Sequence, residues 1–319
     1  MKILANDGIS EAGQKALKNE GFTVINQNIP QDQLAKYINQ NFVVGLLVRS
    51  ATTVRKELID QCPSLRLIGR GGVGMDNIDV GYAKEKEIYI INTPAASSAS
   101  VAELVFAHLF GGVRFLYDSN RNMPLEGDTK FKKLKKNYSA GIELRGKTLG
   151  IVGLGRIGQE VAKIGLGLGM KVIGTDKHID QISVRVTLFD GQFLEVKIPS
   201  IDFDQLLRQS DFITLHVPSQ GNPLITISEI KKMKKGSGII NAARGGVIKE
   251  DDLLEALDSG QLSFAGLDTY EKEPKPDIKL LMHPRISLSP HIGAATIEAQ
   301  ERIGLELAEQ ITDLLKIRS

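Results

Sequence analysis

Residues 149–176 read LGIVGLGRIGQEVAKIGLGLGMKVIGTD. The apolar run before Gly153 predicts a buried strand, the segment after Gly155 predicts a helix, and the next apolar run predicts a second strand. Gly153, Gly155 and Gly158 form a G-x-G-x-x-G pattern where the first strand passes into the helix. The pattern alone is weak evidence. Its position between strand and helix, with Asp176 closing the second strand, is a strong signal for a nucleotide-binding βαβ unit.

The three glycines and the helix start predict a site for a dinucleotide pyrophosphate. Gly153 permits the tight turn, Gly155 lets the backbone approach the phosphates, and Gly158 lets helix and strand pack closely. The N-terminus of the helix presents N–H groups and a positive dipole end to an anion. The backbone amides expected there are those of Arg156 and Ile157. A βαβ turn without a ligand is the plainer interpretation, and the surrounding strand, helix and acid argue against it.

Asp176 distinguishes between the two nicotinamide cofactors. A carboxylate at this position accepts hydrogen bonds from the adenosine ribose hydroxyls and repels a 2'-phosphate. The predicted cofactor is therefore NAD rather than NADP. Lys177 and His178 follow the acid and leave open some tolerance of NADP.

Short β-branched runs alternate with helical patterns on both sides of this stretch, which is typical of parallel sheets built from βαβ units. The predicted fold class is α/β, with two doubly wound parallel-sheet domains. A Rossmann NAD-binding domain, 97–290, is inserted into a flavodoxin-like substrate-binding domain, 1–96 and 291–319. Two domains agree with a length of 319 residues, since single cores usually stop growing beyond about 250 to 300 residues.

Three further segments have their own patterns. Ser100 to Leu116 and Ala294 to Ile317 are predicted long amphipathic helices, and the polar, basic segment 121–141 is predicted to be irregular. Residues 182–198 alternate with period two around Asp190-Gly191 and predict an inserted hairpin. A three-residue loop, 189–191, would pair Val186 with Leu194 and keep the apolar faces together.

Composition restricts the compartment and the partners. The net charge of +2 gives no electrostatic footprint for nucleic acid, and no apolar run is long enough to span a bilayer. One cysteine, Cys62, excludes an internal disulfide, and the N-terminus shows no signal-peptide pattern. These features predict a cytoplasmic protein. The scattered histidines show no metal-binding constellation, so a metal-free mechanism is expected.

Candidate catalytic residues follow the last predicted strands, where ligands of open α/β sheets collect. Hydride transfer requires an anchor for the substrate carboxylate, a general acid and base for the oxygen, and a group that orients that acid. Arg244, His291 and Glu273 are the corresponding candidates. Singly, each has a plainer interpretation as a surface cation, a helix cap or a solvated acid. Their order and spacing favour the catalytic interpretation.

The segments NAARGGVI, AGLDTYEKEP and SPHIGAAT, in that order behind GLGRIG, resemble the D-isomer-specific 2-hydroxyacid dehydrogenases over essentially the whole chain. LLVRSATTV, LIGRGGVGMDNIDV and INTPAASSASVAEL are similar to the substrate domain of members that oxidise 3-phospho-D-glycerate, the entry to L-serine biosynthesis. The resemblance implies that Arg244 binds the substrate carboxylate and carbonyl oxygen. It also implies that His291 is the acid and base and that Glu273 hydrogen-bonds the imidazole.

The resemblance implies further contacts with the cofactor and the substrate. Asp268 would bind the nicotinamide carboxamide, and the remaining cofactor pocket would be lined by His216, Val217, Pro218, Ala242, Ala243, Gly293 and Ala294. Substrate contacts are expected from Arg49, Arg70, Gly72, Val73, Gly74 and Ser97. The glycine-rich loop is an anion-binding nest by composition, whereas both arginines have an alternative role as exposed strand-end cations. Ser97 departs from the asparagine of the phosphoglycerate enzymes and is a shorter donor.

The resemblance also implies a homodimer through the NAD-binding domain. Because the sequence ends at Ser319, directly after the last predicted helix, the C-terminal regulatory domain of many phosphoglycerate enzymes is not expected. The basic run Lys130 to Lys136 is most often a solvated face. The resemblance raises the hypothesis that one of Lys132 to Lys136 reaches the partner's substrate site. A hydroxypyruvate or glyoxylate reductase, or another D-2-hydroxyacid reductase, is the alternative enzyme. An NAD-sensing binding protein, like the corepressors that resemble this family, is the alternative from another class.

Overall fold

The computed structural model describes residues 1–219 and 221–316. Up to the middle of the chain its elements are β1 (Lys2–Ala5), α1 (Glu11–Asn19), β2 (Thr23–Asn26), α2 (Leu34–Asn41), β3 (Val43–Val48), α3 (Lys56–Gln61), β4 (Leu67–Arg70), α4 (Val80–Glu85), β5 (Tyr89–Asn92), α5 (Ser98–Val113), α6 (Leu116–Glu126) and α7 (Phe131–Asn137). They are followed by β6 (Thr148–Val152), α8 (Arg156–Gly167), β7 (Lys171–Thr175), β8 (Gln181–Thr187), β9 (Phe193–Pro199), α9 (Phe203–Gln209), β10 (Phe212–Leu215), α10 (Ile227–Lys232), β11 (Ser237–Asn241), α11 (Glu250–Asp258), β12 (Leu262–Leu267), α12 (Ile278–Met282), β13 (Ile286–Leu288) and α13 (Ile297–Lys316).

The chain divides into two compact units. Unit 1 contains Met1–Ser98 and the chain from Ala294 onward, and unit 2 is Ala99–Gly293. The predicted division placed His291 with the first unit, whereas the structure places it in unit 2. The reason is local: the Asp268 carboxylate accepts the N–H groups of Ile292 and Gly293 and so holds this segment to unit 2.

Unit 1 is a parallel α/β sheet with helices on both faces, as predicted. Among the described residues its strand order is β2-β1-β3-β4-β5, the flavodoxin-like order. One core lies between the sheet and α2, α3 and α4. The other lies between the sheet and the pair α1 and α13, where Leu17, Ile303, Leu307 and Ile311 are buried. The order reverses between β1 and β3, so the loops after these strands diverge and leave space for a ligand.

Helices α1 and α13 pack closely because each presents a glycine at the contact. A methyl group on Gly13 would lie 2.7 Å from the Gly304 Cα, and one on Gly304 would overlap the Ser10 hydroxyl. Ser10 is the N-cap of α1, since its hydroxyl accepts the N–H of Gly13 at 3.2 Å. The glycines therefore set the distance between the two helices.

We expect Gly13→Ala to destabilise unit 1. Alanine gains about 1 kcal/mol of helix propensity over glycine, but overlap with a backbone that cannot move away costs about 1–3 kcal/mol or more. Chemical denaturation measures the difference in unfolding free energy. The matched control is Gly81→Ala in α4, where the added methyl group meets no atom within 4 Å and should be neutral or stabilising. Equal stabilities for the two variants would contradict this packing argument.

Unit 2 contains the Rossmann-type sheet that the G-x-G-x-x-G stretch predicted. Among the described residues its strand order is β13-β12-β11-β10-β6-β7, all parallel, so the reversal lies where β6 is flanked by β7 and β10. Beyond β7, among the residues that the structure describes, a single bridge from Gly174 to Ser200 continues the sheet. Buried residues of α5 and α8 fill one face, including Val105, Leu109 and Val161.

The hairpin β8–β9 has the predicted register. Val184 pairs with Val196 and Val186 with Leu194, and the Leu188 N–H donates to the Gln192 carbonyl at 2.7 Å, which leaves a three-residue loop, 189–191. Gly191 has φ +87°, the left-handed conformation that the prediction required. One face of the hairpin, with Ile182, Val184 and Ile198, is buried against the core of unit 2. The alternation of apolar and polar residues in the sequence therefore reflects a hairpin that is covered on one face.

Three sequence predictions about the helical parts were inaccurate. Segment 121–141 is not irregular, because the end of α6 and all of α7 lie in it. The predicted helix at Ser100 to Leu116 starts at Ser98 and stops at Val113, since Phe115 takes a left-handed φ of 55°. The final helix begins at Ile297 rather than Ala294, and its predicted end at Ile317 lies outside the described residues.

No single helix in the part of the chain that the structure describes is long and apolar enough to cross a membrane. Helices α5 and α6 meet the length and composition criterion only as a pair, and the pair is bent by 58°. The apolar side chains of α5 are mostly buried in the core of unit 2, including Val105, Phe106 and Leu109.

Candidate active site

The glycine turn after β6 has a geometry that only glycines accept. Gly153 has φ +99°, and a side chain there would overlap the carbonyl oxygen of His216. A side chain on Gly158 would overlap the carbonyl oxygen of Gly153. Gly155, by contrast, faces open space, with no atom within 4 Å of an added methyl group. The turn therefore leaves a cradle beside the start of α8.

The N-terminus of α8 is available to an anion. Gly155 is the N-cap, and no side chain among the described residues caps this helix end. The first N–H groups, with those of Arg156 and Ile157 among them, thus lack intrahelical partners and carry the positive end of the helix dipole. A dinucleotide pyrophosphate fits this cradle, because the cradle accepts an anion and lets it come close to the backbone.

Asp176 is tied to the same turn. Its carboxylate accepts the N–H of Leu154 at 2.8 Å and the N–H of His178 at 2.8 Å. A carboxylate has about four lone-pair sites, so these two bonds leave acceptors for the two ribose hydroxyls. The contact with Leu154 was not predicted, and it explains how the acid at the end of β7 is held beside the loop after β6.

The other predicted cofactor residues of unit 2 follow neighbouring strands at the same edge of the sheet. His216, Val217 and Pro218 follow β10, and the His216 N–H donates to the Val152 carbonyl at 2.7 Å. Ala242 and Ala243 follow β11, Asp268 follows β12, and Gly293 follows β13. Ala294 belongs to unit 1, where the chain returns to it.

The loop that carries Arg244 is rigid because Asn241 fastens it at two points. The Asn241 side-chain oxygen accepts the Ala243 N–H at 3.1 Å, and its amide nitrogen donates to the Arg244 carbonyl at 2.9 Å. Asn241 is buried at the end of β11. The half-buried Arg244 donates from Nη1 to the Ala243 carbonyl at 2.7 Å. Sequence reasoning did not assign Asn241, although its place at the start of NAARGGVI is a usable signal.

Glu273 and His291 form the predicted pair. His291 Nδ1 lies 2.8 Å from Glu273 Oε2, and the other oxygen, Oε1, accepts the Tyr270 N–H at 3.0 Å. Since an ionised carboxylate only accepts, Nδ1 carries the hydrogen of this bond, and Nε2 is the ring nitrogen that the bond to Glu273 does not use. His291 has φ +56°, an uncommon left-handed conformation for a non-glycine residue.

The loops after β11 and β12 touch through Gly245. A side chain at Gly245 would overlap the carbonyl oxygen of Tyr270, three residues before Glu273. The Tyr270 hydroxyl donates to the Ser289 carbonyl at 2.8 Å, which fixes the end of β13 to the same group. Three adjacent strands thus place Arg244, Glu273 and His291 on loops that share Tyr270 as a contact.

Asp268 has a structural task that the sequence did not predict. It is 1% exposed, and its carboxylate accepts the Ser289 hydroxyl at 2.6 Å and the N–H groups of Ile292 and Gly293, each at 2.8 Å. The carboxylate therefore holds the backbone that immediately follows His291. This arrangement makes the conformation of the loop that carries His291 depend on Asp268.

Within unit 1, the predicted substrate residues cluster at the ends of β3 and β4. Arg49 follows β3, and Arg70 ends β4, where it pairs with Val48. The Arg70 guanidinium lies against Gly72, in the place that a side chain there would take. Burial lowers the pKa of the Arg49 guanidinium, while the Asp7 carboxylate acts in the opposite direction.

Val73, Gly74 and Ser97 complete the predicted set. Val73 is exposed, and its carbonyl accepts the Asn92 side-chain amide at 2.8 Å. Gly74 lies in the same loop and is half-buried. Ser97 is 1% exposed, so its hydroxyl is not part of the open surface of unit 1.

Asp7 is a polar group of unit 1 that sequence reasoning missed. Its carboxylate accepts the Arg49 N–H at 2.6 Å, the Thr52 N–H at 3.0 Å and the Thr52 hydroxyl at 2.6 Å. These bonds shape the loop after β3. Asp7 also lines a pocket after β1, β2 and β3, together with the polar side chains of Asn6, Asn26, Asn28, Arg49 and Ser50. The segment LANDGIS carries no motif that would have indicated this role.

A family model described as D-isomer specific 2-hydroxyacid dehydrogenase, NAD binding domain, matches residues 106–293, more than half of the chain. The chain belongs to this family. It is an NAD-dependent dehydrogenase of D-2-hydroxy acids.

The relatives of this dehydrogenase differ in substrate. It is 41% identical over 316 residues to the hydroxypyruvate reductase of Thermotoga maritima, with 97% of each chain covered. It is 40% identical to the D-3-phosphoglycerate dehydrogenase of Methanocaldococcus jannaschii, with 99% of this chain but 58% of that relative covered. The crystal structure of a glyoxylate reductase from Paecilomyes thermophila has a TM-score of 0.80 and 29% identity, with 98% and 96% of the chains covered.

Two histidines of the dehydrogenase, the buried His108 and the half-buried His216, make its stability depend on pH. Burial lowers the pKa of His216 to about 3, and it lowers the pKa of His108 as well, against the opposing charge of Asp268. Unfolding returns both to the ordinary value of 6.5, so the unfolded chain takes up protons below that pH. The stabilising contribution is complete above pH 6.5 and is lost as the pH falls toward the folded pKa.

We therefore expect the unfolding free energy to fall below pH 6.5, by up to about 1.4 kcal/mol per pH unit for each histidine. Urea denaturation at pH 7.5, 6.5 and 5.5 measures the slope. The control is His216→Asn, which cannot take up a proton and should reduce that slope. An identical pH dependence in the wild type and the variant would refute the assignment to His216.

Proposed function

We propose that this dehydrogenase interconverts 3-phospho-D-glycerate and 3-phosphohydroxypyruvate with NAD, the entry to L-serine biosynthesis. The observation that supports a phosphorylated substrate is the pair Arg49, directly after β3, and Arg70, at the end of the neighbouring β4, beside the glycine-rich loop of unit 1. Two guanidinium groups at adjacent strand ends match the charge and donor pattern of a phosphate. We assign substrate binding to unit 1, which contains Met1–Ser98 and the chain from Ala294 onward.

The proposed reaction uses the loops after β11, β12 and β13. The bound cofactor supplies or accepts the hydride at C2 of the substrate. Arg244 anchors the substrate carboxylate and polarises the carbonyl oxygen during reduction. His291 gives its proton from Nε2 to the developing alkoxide, and in the oxidation direction it takes the proton of the C2 hydroxyl. Glu273 stabilises the imidazolium and fixes the ring through Nδ1.

Reduction of hydroxypyruvate or glyoxylate is the second candidate. Its support is the reductase of Thermotoga maritima, which is matched over 97% of both chains, and the burial of Ser97 where the phosphoglycerate enzymes have an asparagine. Hydroxypyruvate is 3-phosphohydroxypyruvate without its phosphate. The two candidates therefore differ by whether Arg49 and Arg70 bind a phosphate.

A substrate panel separates the candidates. NADH oxidation is followed with 3-phosphohydroxypyruvate, hydroxypyruvate, glyoxylate and 2-oxoglutarate, and we expect the highest kcat/KM for the phosphorylated acid. Arg49→Gln and Arg70→Gln should each raise its KM at least tenfold and leave that of hydroxypyruvate within about threefold, since a charged hydrogen bond is worth about 1.5–3 kcal/mol. Equal efficiency of the wild type on glyoxylate would overturn the phosphorylated substrate.

The panel also tests the alternative of an NAD-sensing binding protein. Such a protein would bind NADH and turn over none of the four acids.

A contact of one of Lys132 to Lys136 with the partner's substrate site stays a hypothesis. The exposed lysines of α7 carry the positive charge that this contact requires. If neutralising all four lysines leaves the KM for the phosphorylated acid unchanged, the hypothesis of a lysine contact in trans is wrong. The cytoplasm stays the predicted compartment.

We further propose a homodimer formed by unit 2. Large apolar side chains are exposed on and around α5, α6 and α7, at Phe110, Leu116, Met123, Leu125, Phe131 and Ile142. Exposed apolar groups concentrated in one segment are typical of an association surface. Sedimentation of the wild type should give a dimer, and Leu116→Glu combined with Leu125→Glu should shift it to monomer. A monomeric wild type at micromolar concentration would overturn the proposal.

A further inference from the structure

A buried histidine outside the predicted site connects to Asp268. His108 lies on α5 and is 4% exposed. Its Nδ1 is 2.8 Å from the Ser287 hydroxyl in β13, and its Nε2 is 2.9 Å from the Ser289 hydroxyl just after β13. The Ser289 hydroxyl is in turn 2.6 Å from Asp268 Oδ1. The four side chains form one continuous chain of hydrogen bonds inside unit 2.

The surroundings of His108 are shaped to hold its ring. Gly266 in β12 lies against it, and a methyl group there would come within 2.7 Å of the His108 Cβ. The Ser289 backbone is also fixed, since its carbonyl accepts the Tyr270 hydroxyl and its N–H donates to the Leu267 carbonyl at 3.0 Å. The ring therefore bridges two points on a rigid strand end.

The direction of every hydrogen bond in this chain follows from Asp268. A carboxylate has no hydrogen to give, so the Ser289 hydroxyl donates to it and must accept from His108 Nε2–H. A neutral imidazole with hydrogen on Nε2 has its lone pair on Nδ1, and the Ser287 hydroxyl donates there. The dipoles all point toward Asp268, an arrangement in which each bond strengthens the next.

We propose that His108, as the neutral Nε2–H tautomer, is a positioning residue that acts through Ser289 and Asp268 on the loop of His291. The Asp268 carboxylate binds the N–H groups of Ile292 and Gly293 directly after His291, so the orientation of the carboxylate sets the orientation of this loop. The effect on turnover rests on the proposed role of His291. The tautomer and the hydrogen-bond chain are tested without it.

The first test is the tautomer. In 15N-labelled protein at pH 7, two-bond 15N–1H correlations of the ring should show His108 protonated on Nε2 and unprotonated on Nδ1. His108→Gln identifies the signals by their loss. A ring protonated on Nδ1, or on both nitrogens, would overturn the proposal whether or not the protein turns over any acid.

The second test is a double-variant cycle on turnover. Ser289→Ala should lower kcat about tenfold, in line with the loss of a hydrogen bond to a charged group, with the KM for the 2-oxo acid changed less than about threefold. His108→Met, of similar volume and without donors, should lower kcat in the same direction. In the Ser289→Ala background, His108→Met should cause no further loss of kcat, because the hydroxyl that His108 binds is already absent.

Two controls separate positioning from packing. His108→Gln keeps an N–H donor near the Ser289 hydroxyl and should recover at least half of the wild-type kcat. Phe106→Leu removes buried volume from the same helix without touching the hydrogen-bond chain, and its kcat should stay within about twofold of the wild type. Additive losses in the cycle, or equal kcat for His108→Gln and His108→Met, would overturn the inference. No turnover by the wild type would instead refute the proposed function.

Discussion

Replacement of His291 by alanine is expected to lower kcat for reduction of the preferred 2-oxo acid by about 10²–10⁴-fold, the usual contribution of a general acid. The imidazole is held by Glu273 through Nδ1 at 2.8 Å, which leaves Nε2 to deliver the proton. NADH binding should change less than about threefold, since the glycine turn after β6 and Asp176 lie on other loops. Steady-state kinetics and NADH fluorescence titration measure the two effects.

Glu273→Gln and His283→Asn are the comparisons for this prediction. Glu273→Gln keeps a hydrogen-bond acceptor but removes the charge that stabilises the imidazolium, so a smaller loss of kcat is expected. His283→Asn changes a histidine that bonds Asp258 through Nε2 at 3.3 Å and should leave kcat within about twofold. A kcat of His291→Ala within tenfold of the wild type would contradict the assignment of the acid.

Gly158→Ala is expected to weaken cofactor binding strongly. The added methyl group would overlap the carbonyl oxygen of Gly153, so the turn between β6 and α8 must open. Overpacking against backbone costs about 1–3 kcal/mol or more. Gly153 cannot move away, because the His216 carbonyl oxygen lies directly beside it. We expect the Kd for NADH to rise at least 100-fold, measured by fluorescence titration at a temperature where the variant is folded.

The matched control lies in the same helix. Gly167→Ala, in the last turn of α8, meets no atom within 4 Å and replaces glycine in a helical conformation. It should leave the Kd for NADH unchanged and raise the unfolding free energy by up to about 1 kcal/mol. Equal NADH affinities of the two alanine variants would show that Gly158 is not required for the close contact of turn and helix.

Local rules predicted the glycine turn and the hairpin register from the sequence. At Gly153 and Gly191 the backbone itself demands a left-handed residue, so the residue type reports the conformation. The register of β8–β9 followed from keeping Val184, Val186, Leu194 and Val196 on one face, because a shift by one residue would reverse the faces. Both features depend on residues close in the sequence.

Features that depend on distant residues were not predicted. The short strand β13 and helix α12 occupy the stretch between Glu273 and His291, where the sequence offered only a few apolar residues between prolines. Helix α7 was missed because its apolar contact, Leu134, is buried only in the folded protein, and α6 was missed because Pro124 lies within it and none of its residues is buried. His108 meets Ser287 and Ser289 only in the fold, about 180 positions along the chain.

The most direct measurement of the central claim is the configuration and rate of product formation from 3-phosphohydroxypyruvate and NADH. We expect stoichiometric oxidation of NADH and formation of the D isomer alone, determined by chiral analysis, with turnover lost in Arg244→Gln and His291→Ala. Formation of the L isomer would contradict the account, as would turnover that persists unchanged in both variants.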